Sequence, residues 1–213
     1  MTRILIACAI AVASPVAGVA AQGVDNGGES GKRPLLPRAE EIALARSAAP
    51  AAVSDSATVY VLGNTGYEVA VRGSTGAACY VSRDWVKSLE PHCFDPEGAA
   101  TIMPMQMLRV TLLHRGMNKA DADRVVADSM AAGAFRLPRR PAMSYMMSAE
   151  QKLIAPNGAP AGAWRPHLMI YYPYLTVADM GSTAENSTAM VVDPGKPTAN
   201  VMIVVKDFIA VRR

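Results

Sequence analysis

The chain has 213 residues, of which 51% are hydrophobic and 18% are charged, and its formal net charge is +3. This length favours one domain of ordinary size that can bury its own hydrophobic core. The positive charge is too small to indicate nucleic-acid binding, for which basic residues should cluster clearly, so we expect no nucleic-acid partner.

Residues 1–21 have the pattern of a secretory signal peptide. Arg3 is followed by an unbroken apolar run, Ile4–Ala13, and small residues lead to Val19 and Ala21 at positions that suit cleavage after Ala21. The run of about ten residues is too short for a membrane span of roughly twenty. We therefore expect an exported protein, periplasmic or secreted, without a transmembrane segment after cleavage. A signal that stays uncleaved as a weak anchor is the alternative.

Residues 22–37 are rich in Gly, Ser, Asn and charged side chains and have no apolar period, which predicts a flexible linker. Pro37 is then in position to open a short helix, Arg38–Ala48, that ends before Pro50. We assign residues 38–213 to a single domain.

Residues 57–83 alternate between strand and turn patterns. Ala57–Leu62 is β-branched and apolar, and Tyr67–Val71 alternates with the period of a half-buried strand. Glycine-rich turns of four residues separate these runs and precede a third run, Ala77–Arg83. The pattern predicts a β-meander built from two hairpins.

Two cysteines lie outside the predicted signal peptide, Cys79 and Cys93. An even number of cysteines in an exported chain favours a disulfide. The bond would close a loop of about 15 residues, which is worth roughly 3 kcal/mol in the chain-entropy model. Two unpaired buried thiols are the alternative.

The most concentrated group of polar side chains lies at Glu90–Glu97. It offers the imidazole of His92 and three carboxylates beside the predicted disulfide, and these could form a metal site or an acid–base site. The alternative, which we favour, is a polar loop that leads into a helix, with Asp95 as the cap and Pro96 at the first helical position.

Residues 104–133 have the strongest helical periodicity and predict two helices, each with one apolar stripe. The first helix ends at Gly116. Asn118 is in position to cap the second, which ends at Gly133. His114 would lie at the end of the first helix, where a cation complements the helix dipole.

Met103, Met105 and Met107 place thioethers at alternate positions, an arrangement that would suit the soft ion Cu(I). Methionine also fills irregular gaps in cores, and Met105 already belongs to the apolar stripe of a predicted helix. Copper binding is therefore a weaker alternative.

Short apolar runs follow the helices and predict strands at Ala142–Met147, His167–Tyr172, Met190–Val192 and Asn200–Val205. Val201–Val205 is uninterrupted, which predicts a central strand buried on both faces. The order of elements predicts an α+β fold. We expect a single domain with a mostly antiparallel sheet and a helical pair inserted between an N-terminal β-meander and C-terminal strands.

His167 is the histidine that we favour for ligand binding. On the predicted strand it shares a face with Met169 and Tyr171, and Tyr172 and Tyr174 follow closely. Tyrosine rings combine stacking surface with hydroxyl groups and could line a ligand pocket. Packing within the sheet, with the hydroxyls reaching water, is the alternative.

Arg139 and Arg140 belong to a small basic group that also contains Arg136 and, later in the chain, Arg165. Guanidinium groups bind carboxylate or phosphate with two hydrogen bonds. We therefore include Arg139 and Arg140 among the candidate ligand-binding residues. A solvated surface is the alternative.

The sequence lacks the catalytic motifs that we searched for, among them G-x-S-x-G, H-E-x-x-H and G-x-G-x-x-G. We therefore expect a non-catalytic domain of the cell envelope that binds an unknown small ligand or an envelope protein, with no cofactor and no metal. The alternative is a small secreted hydrolase that uses His167 or the segment that contains His92, Asp95 and Glu97.

Overall fold

The computed structural model describes residues 31–84, 87–154, 159–181 and 188–212. The predicted signal peptide and residues 22–30 of the predicted linker lie outside the described residues. The α-helices are α1 (Arg38–Arg46), α2 (Ala51–Ser54), α3 (Pro96–His114) and α4 (Lys119–Ala131). The strands are β1 (Thr58–Gly63), β2 (Gly66–Val71), β3 (Ala78–Ser82), β4 (Glu90–Phe94), β5 (Ala142–Met146), β6 (His167–Tyr171), β7 (Ala189–Val192) and β8 (Asn200–Val204).

The strands form a single sheet in the order β2-β1-β3-β4-β5-β6-β8-β7. Neighbouring strands are antiparallel except β1 and β3, which are parallel. The predicted α+β fold with a mostly antiparallel sheet is therefore confirmed. The four strands predicted after the helices are also confirmed, because β5 to β8 agree with them to within one residue at each end.

The predicted β-meander is wrong in its second hairpin. β1 and β2 form the first hairpin, but β3 pairs with β1 instead of β2. Between β2 and β3 the chain crosses the start of β1, where the Gly73 N–H donates to Oγ1 of Thr58 (3.1 Å). A Cβ at Gly73 would lie 2.3 Å from main-chain atoms of Ala57 and Thr58, so only glycine permits this approach. The close crossing places β3 on the far side of β1.

The polar loop predicted at the start of Glu90–Glu97 is also wrong, because Glu90–Phe94 is the buried strand β4. Helices cover both faces of β4, so its polar side chains Glu90 and His92 on one face are buried like Pro91 and Cys93 on the other. Pro91 contributes no N–H to a ladder. It lies in the part of β4 that β5 does not pair with.

The predicted helix caps are confirmed. The Asp95 carboxylate accepts a hydrogen bond from the N–H of Gly98 (2.7 Å), and Pro96 is the first residue of α3. The Asn118 side chain accepts from the N–H of Asp121 (2.9 Å) at the start of α4. These side chains satisfy main-chain donors that a helix leaves unpaired at its first turn.

Two apolar clusters fill the space on either side of the sheet. On one face, α1 packs against β1, β3 and β4, and on the other face α3 packs against β2 to β5. Cys79 and Cys93 lie directly opposite each other on β3 and β4 and form the predicted disulfide, which is fully buried in the first cluster. Tyr80 and Phe94 belong to the second cluster.

Residues 31–37 contain no helix or strand, but Arg33 anchors this segment to the domain. The Arg33 side chain is buried and donates from Nε to the carbonyl oxygen of Arg83 (3.1 Å). The Arg33 N–H donates to Nδ1 of His114 (3.0 Å). A ring nitrogen that accepts carries no proton, and burial lowers the pKa of His114, so this imidazole is neutral. The prediction that His114 complements the dipole of α3 as a cation is wrong.

β8 is also not the doubly buried central strand that its apolar run predicts. It lies next to the edge of the sheet, between β6 and β7, and residues 201–204 are only partly buried. The described helices pack mainly against β1 to β5. The helices that bury both faces of β3 and β4 do not extend to β8.

Candidate functional site

The part of the sheet formed by β6, β8 and β7, which we call the open end, carries an apolar surface that the described helices leave largely uncovered. On one face of the open end, side chains from the three strands lie side by side in two rows. Each of these side chains is partly buried. The first row is Leu168, Ile203 and Ala189, and the second is Ile170, Val201 and Val191.

β7 is the edge strand of the open end. The N–H of Val204 donates to the carbonyl oxygen of Thr188 (2.8 Å), and the ladder alternates from this bond. Ala189 and Val191 are therefore in non-hydrogen-bonded pairs with β8, and their N–H and C=O groups point outward. Within the described part of the chain, no hydrogen bond reaches these outward groups. The sequence of β7 contains no charged residue and no proline.

The opposite edge strand, β2, is protected. Nη2 of Arg38 donates to the carbonyl oxygens of Val69 (3.3 Å) and Ala70 (3.2 Å), and Nη1 pairs with the Glu68 carboxylate (2.7 Å). The ladder between β1 and β2 also contains a register shift. Charged side chains and bulges are features that keep an edge strand from pairing with another chain. The two edges of this sheet therefore differ in their capacity to accept a strand.

The structure separates the tyrosines that the sequence groups into one site. Tyr171 is 3% exposed, and its hydroxyl accepts from Nε2 of Gln106 (3.3 Å). Burial raises the pKa of Tyr171 to about 12. Tyr172 and Tyr174 are each 57% exposed and follow β6 on the surface. Only Tyr172 and Tyr174 can meet a ligand without a rearrangement of the core.

The two histidines of the candidate sites are both buried. His167 is 3% exposed, and its Nδ1 lies 2.6 Å from the carbonyl oxygen of Arg165, an acceptor that places the ring proton on Nδ1. His92 is 6% exposed, and burial lowers its pKa to about 3, with a smaller contribution from His167. Burial also lowers the pKa of His167. Both imidazoles are therefore neutral in the folded protein at neutral pH.

The three side chains of the predicted acid–base segment are engaged separately. The Asp95 carboxylate accepts from the N–H groups of Gly98 (2.7 Å) and Met143 (3.0 Å) and so joins α3 to β5. The His92 ring packs against the rings of Tyr80 and Phe94 in the core. The arrangement does not bring His92 together with Asp95 as a hydrogen-bonded pair.

Glu97 is the centre of the basic group that contains Arg139 and Arg140. Its carboxylate accepts from the Arg139 N–H (3.1 Å) and from Nη1 of Arg136 (2.9 Å), and it lies 3.4 Å from Nε of Arg140. The Arg139 N–H, and then the Arg136 guanidinium, lower the pKa of Glu97. Arg139 and Arg140 are exposed, so their side chains remain on the surface as solvated groups around this carboxylate.

Sequence reasoning counted Glu90 among the carboxylates of the candidate segment but did not predict that its carboxyl group is buried. Burial, and then the nearby carboxylate of Asp84, raise the pKa of Glu90. Hydrogen bonding from Trp164 acts in the opposite direction, but it is a smaller effect. No local pattern predicts this burial, because the groups that act on Glu90 include Arg109 of α3 and Trp164, which are distant in sequence.

The three methionines considered for copper pack with the core. Met103 and Met105 are buried in the cluster around Phe94, and Met107 is packed against it. Across the described ranges, no group of three or more His, Cys, Asp or Glu side chains is arranged to hold a metal ion. Among the helices that the structure describes, none is long and apolar enough to cross a bilayer.

We compared the chain with protein-family models, with curated proteins and with solved structures, and none of the three comparisons found a match.

Proposed function

We propose that this chain is an exported, non-catalytic binding domain that takes up an extended segment of a protein partner as an additional strand beside β7. The observation that carries this proposal is the outward orientation of the N–H and C=O groups of Ala189 and Val191, which have no partner within the described residues. An unpaired edge of this kind is a template for another strand. The protected edge at β2 leaves β7 as the favoured side.

The chemistry of the open end defines the partner. Main-chain hydrogen bonds to β7 would provide affinity without sequence preference, while alternate side chains of the added strand would contact the row that ends at Val191. Ile170 and Val201 complete that row and are apolar. The partner segment should therefore carry β-branched or aromatic residues at alternate positions and no charge on that face.

Export is supported by the signal pattern of residues 1–21 and by the disulfide between Cys79 and Cys93. Disulfides persist mainly in oxidising compartments such as the periplasm and the extracellular space. We therefore place the binding activity in one of these two compartments.

The hydrolase alternative has less support. A general base must reach a nucleophile or a bound water, whereas His92 and His167 are buried and Asp95 and Glu97 are engaged in structural hydrogen bonds. The copper alternative is weakened by the burial of Met103 in the core.

The test is peptide selection against the purified protein, with a random peptide library displayed on phage. Selected peptides should alternate apolar and polar residues, and Val191→Lys should abolish their binding. Val69→Lys is the matched control, because Val69 is 39% exposed on the other edge strand, and it should leave binding unchanged. Val191→Pro removes an N–H that points outward and is not hydrogen-bonded to β8. The variant should therefore remain folded but should also lose peptide binding.

The proposal is wrong if the selected peptides lack alternation or bind Val191→Lys as well as wild type. Sedimentation analysis tests whether a second copy of this chain occupies the edge at β7. A dimer that Val191→Lys dissociates would assign the edge to a second copy of this chain and would overturn the assignment to a separate partner.

A further inference from the structure

A surface cleft of about 250 Å³ lies between α1 and the C-terminal segment of the chain. It is independent of the open end and of the function proposed for it. One wall is formed by successive turns of α1, which carry three apolar side chains and Arg46, and the other wall carries Asp55 and Arg212. The lining residues are Ala39, Ile42, Ala43, Arg46, Asp55 and Arg212.

The charged groups of the cleft do not balance. Arg212 binds the Asp55 carboxylate with two hydrogen bonds of 2.5 and 3.1 Å, and its Nη2 also donates to Ser54 Oγ (3.1 Å). The Arg46 guanidinium donates no hydrogen bond to any residue in the described ranges, and its Nε is buried without a partner. Among the described lining residues, two guanidinium groups and one carboxylate leave one positive charge without an opposite charge.

Arg46 is therefore the polar group that a ligand in this cleft would satisfy. Its guanidinium has neither a carboxylate nor a hydrogen-bond partner among the described residues, and an incoming anion would supply a charge-assisted hydrogen bond to it. Arg46 already attracts Asp55 across the cleft, although the hydrogen bonds from Arg212 are the main reason that the pKa of Asp55 is lowered.

We propose that this cleft binds a small organic carboxylate, with its carboxylate group on Arg46 and its apolar body against Ala39, Ile42 and Ala43. The volume is below the range of about 300–1,000 Å³ that is usual for drug-sized ligands, so the ligand is a small one. A monoanion fits better than a dianion because Asp55 already neutralises Arg212.

The experiment is an NMR titration of the isotope-labelled protein with sodium benzoate as the probe. Benzoate should shift the signals of Ala39 and Ala43, and benzamide, its neutral analogue, should not. Arg46→Met keeps the apolar stem of the side chain and should weaken benzoate binding by about tenfold or more, the usual size of a charge-assisted hydrogen bond. Arg38→Met is the matched control on the same helix, because Arg38 pairs with Glu68 outside the cleft, and it should leave binding unchanged.

The direction in which a second substitution changes the affinity for benzoate distinguishes binding in this cleft from nonspecific attraction to a positively charged protein. Asp55→Asn removes the competing carboxylate and frees Arg212, so benzoate should bind several-fold more tightly. Weaker or unchanged binding in Asp55→Asn overturns the proposal. So does equal binding of benzamide, or no shift at Ala43. Val191→Lys should leave benzoate binding unaltered, so failure at one site is distinguishable from failure at the other.

Discussion

Replacement of His92 by phenylalanine should make the protein more resistant to mild acid. Burial lowers the pKa of His92 from its ordinary value of 6.5 to about 3. The unfolded chain therefore takes up a proton at this ring below about pH 6.5, whereas the folded chain does so only near pH 3, and stability is lost as the pH falls through this interval. Each pH unit costs about 1.4 kcal/mol well below pH 6.5 and less near pH 6.5, where the unfolded ring is only half protonated, so the loss between pH 6.5 and about pH 4.5 is about 2 kcal/mol.

The assay is urea unfolding followed by circular dichroism at several pH values between about 6.5 and 4.5. The ring centroids of Tyr80 and Phe94 lie 5.6 and 5.9 Å from that of His92, so the surroundings of a phenylalanine ring would be aromatic. His92→Phe should lose about 2 kcal/mol less than wild type over this interval. The other two histidines also have lowered pKa values, so part of the acid sensitivity should remain.

Glu90→Gln is the control of opposite sign. Because burial raises the pKa of Glu90, this carboxyl group lowers stability as the pH rises from about 4.5, and on acidification it offsets the loss at His92. Glu90→Gln should therefore steepen the loss of stability on acidification. If His92→Phe and wild type lose stability equally between pH 6.5 and 4.5, the reasoning about buried imidazoles is refuted.

Further predictions concern the local structure. Replacement of both Cys79 and Cys93 by alanine should lower the free energy of unfolding by about 3 kcal/mol in urea titrations, and an unchanged value would contradict the role of the disulfide. Asp95→Ala should lower the free energy of unfolding by more than the roughly 1 kcal/mol expected for Asn118→Ala, because the Asp95 carboxylate also accepts a hydrogen bond from an N–H of β5. Equal losses in the two variants would argue against that second hydrogen bond. Gly73→Ala should lower stability by about 1–3 kcal/mol through its contact with the start of β1, and calorimetry that finds no change would show that the crossing can relax.

The sequence correctly predicted those helices and strands whose ends are determined by residues nearby in the chain. Asp95 and Asn118 cap helices through bonds to residues three positions away, so the sequence alone locates both helix starts. The strands after the helices are apolar runs between turn residues. By contrast, β4 contains Glu90, Pro91 and His92, and it is a strand because it pairs with β3 along its whole length, while helices bury both of its faces. The pairing of β3 with β1 depends on the main-chain crossing at Gly73, which no periodicity records.

The candidate site was predictable only in part. Alternation correctly places Tyr171 on one side of its strand with His167, but it cannot tell which side a helix covers. In the structure Tyr171 is buried in the core, whereas Tyr172, the next residue in the chain, is exposed. The apolar run of β8 predicts burial on both faces, whereas its position beside β7 leaves it partly exposed. Coverage by helices is a property of the whole fold and has no local pattern.

Amide hydrogen exchange, measured by NMR with and without a selected peptide, tests the assignment of a strand-binding edge most directly. A peptide that adds beside β7 must hydrogen-bond to its outward N–H groups, so the amides of Ala189 and Val191 should gain protection. The amide of Val69, on the protected edge strand β2, should not change. Bound peptide without added protection at Ala189 and Val191 would contradict the proposal that β7 receives the partner.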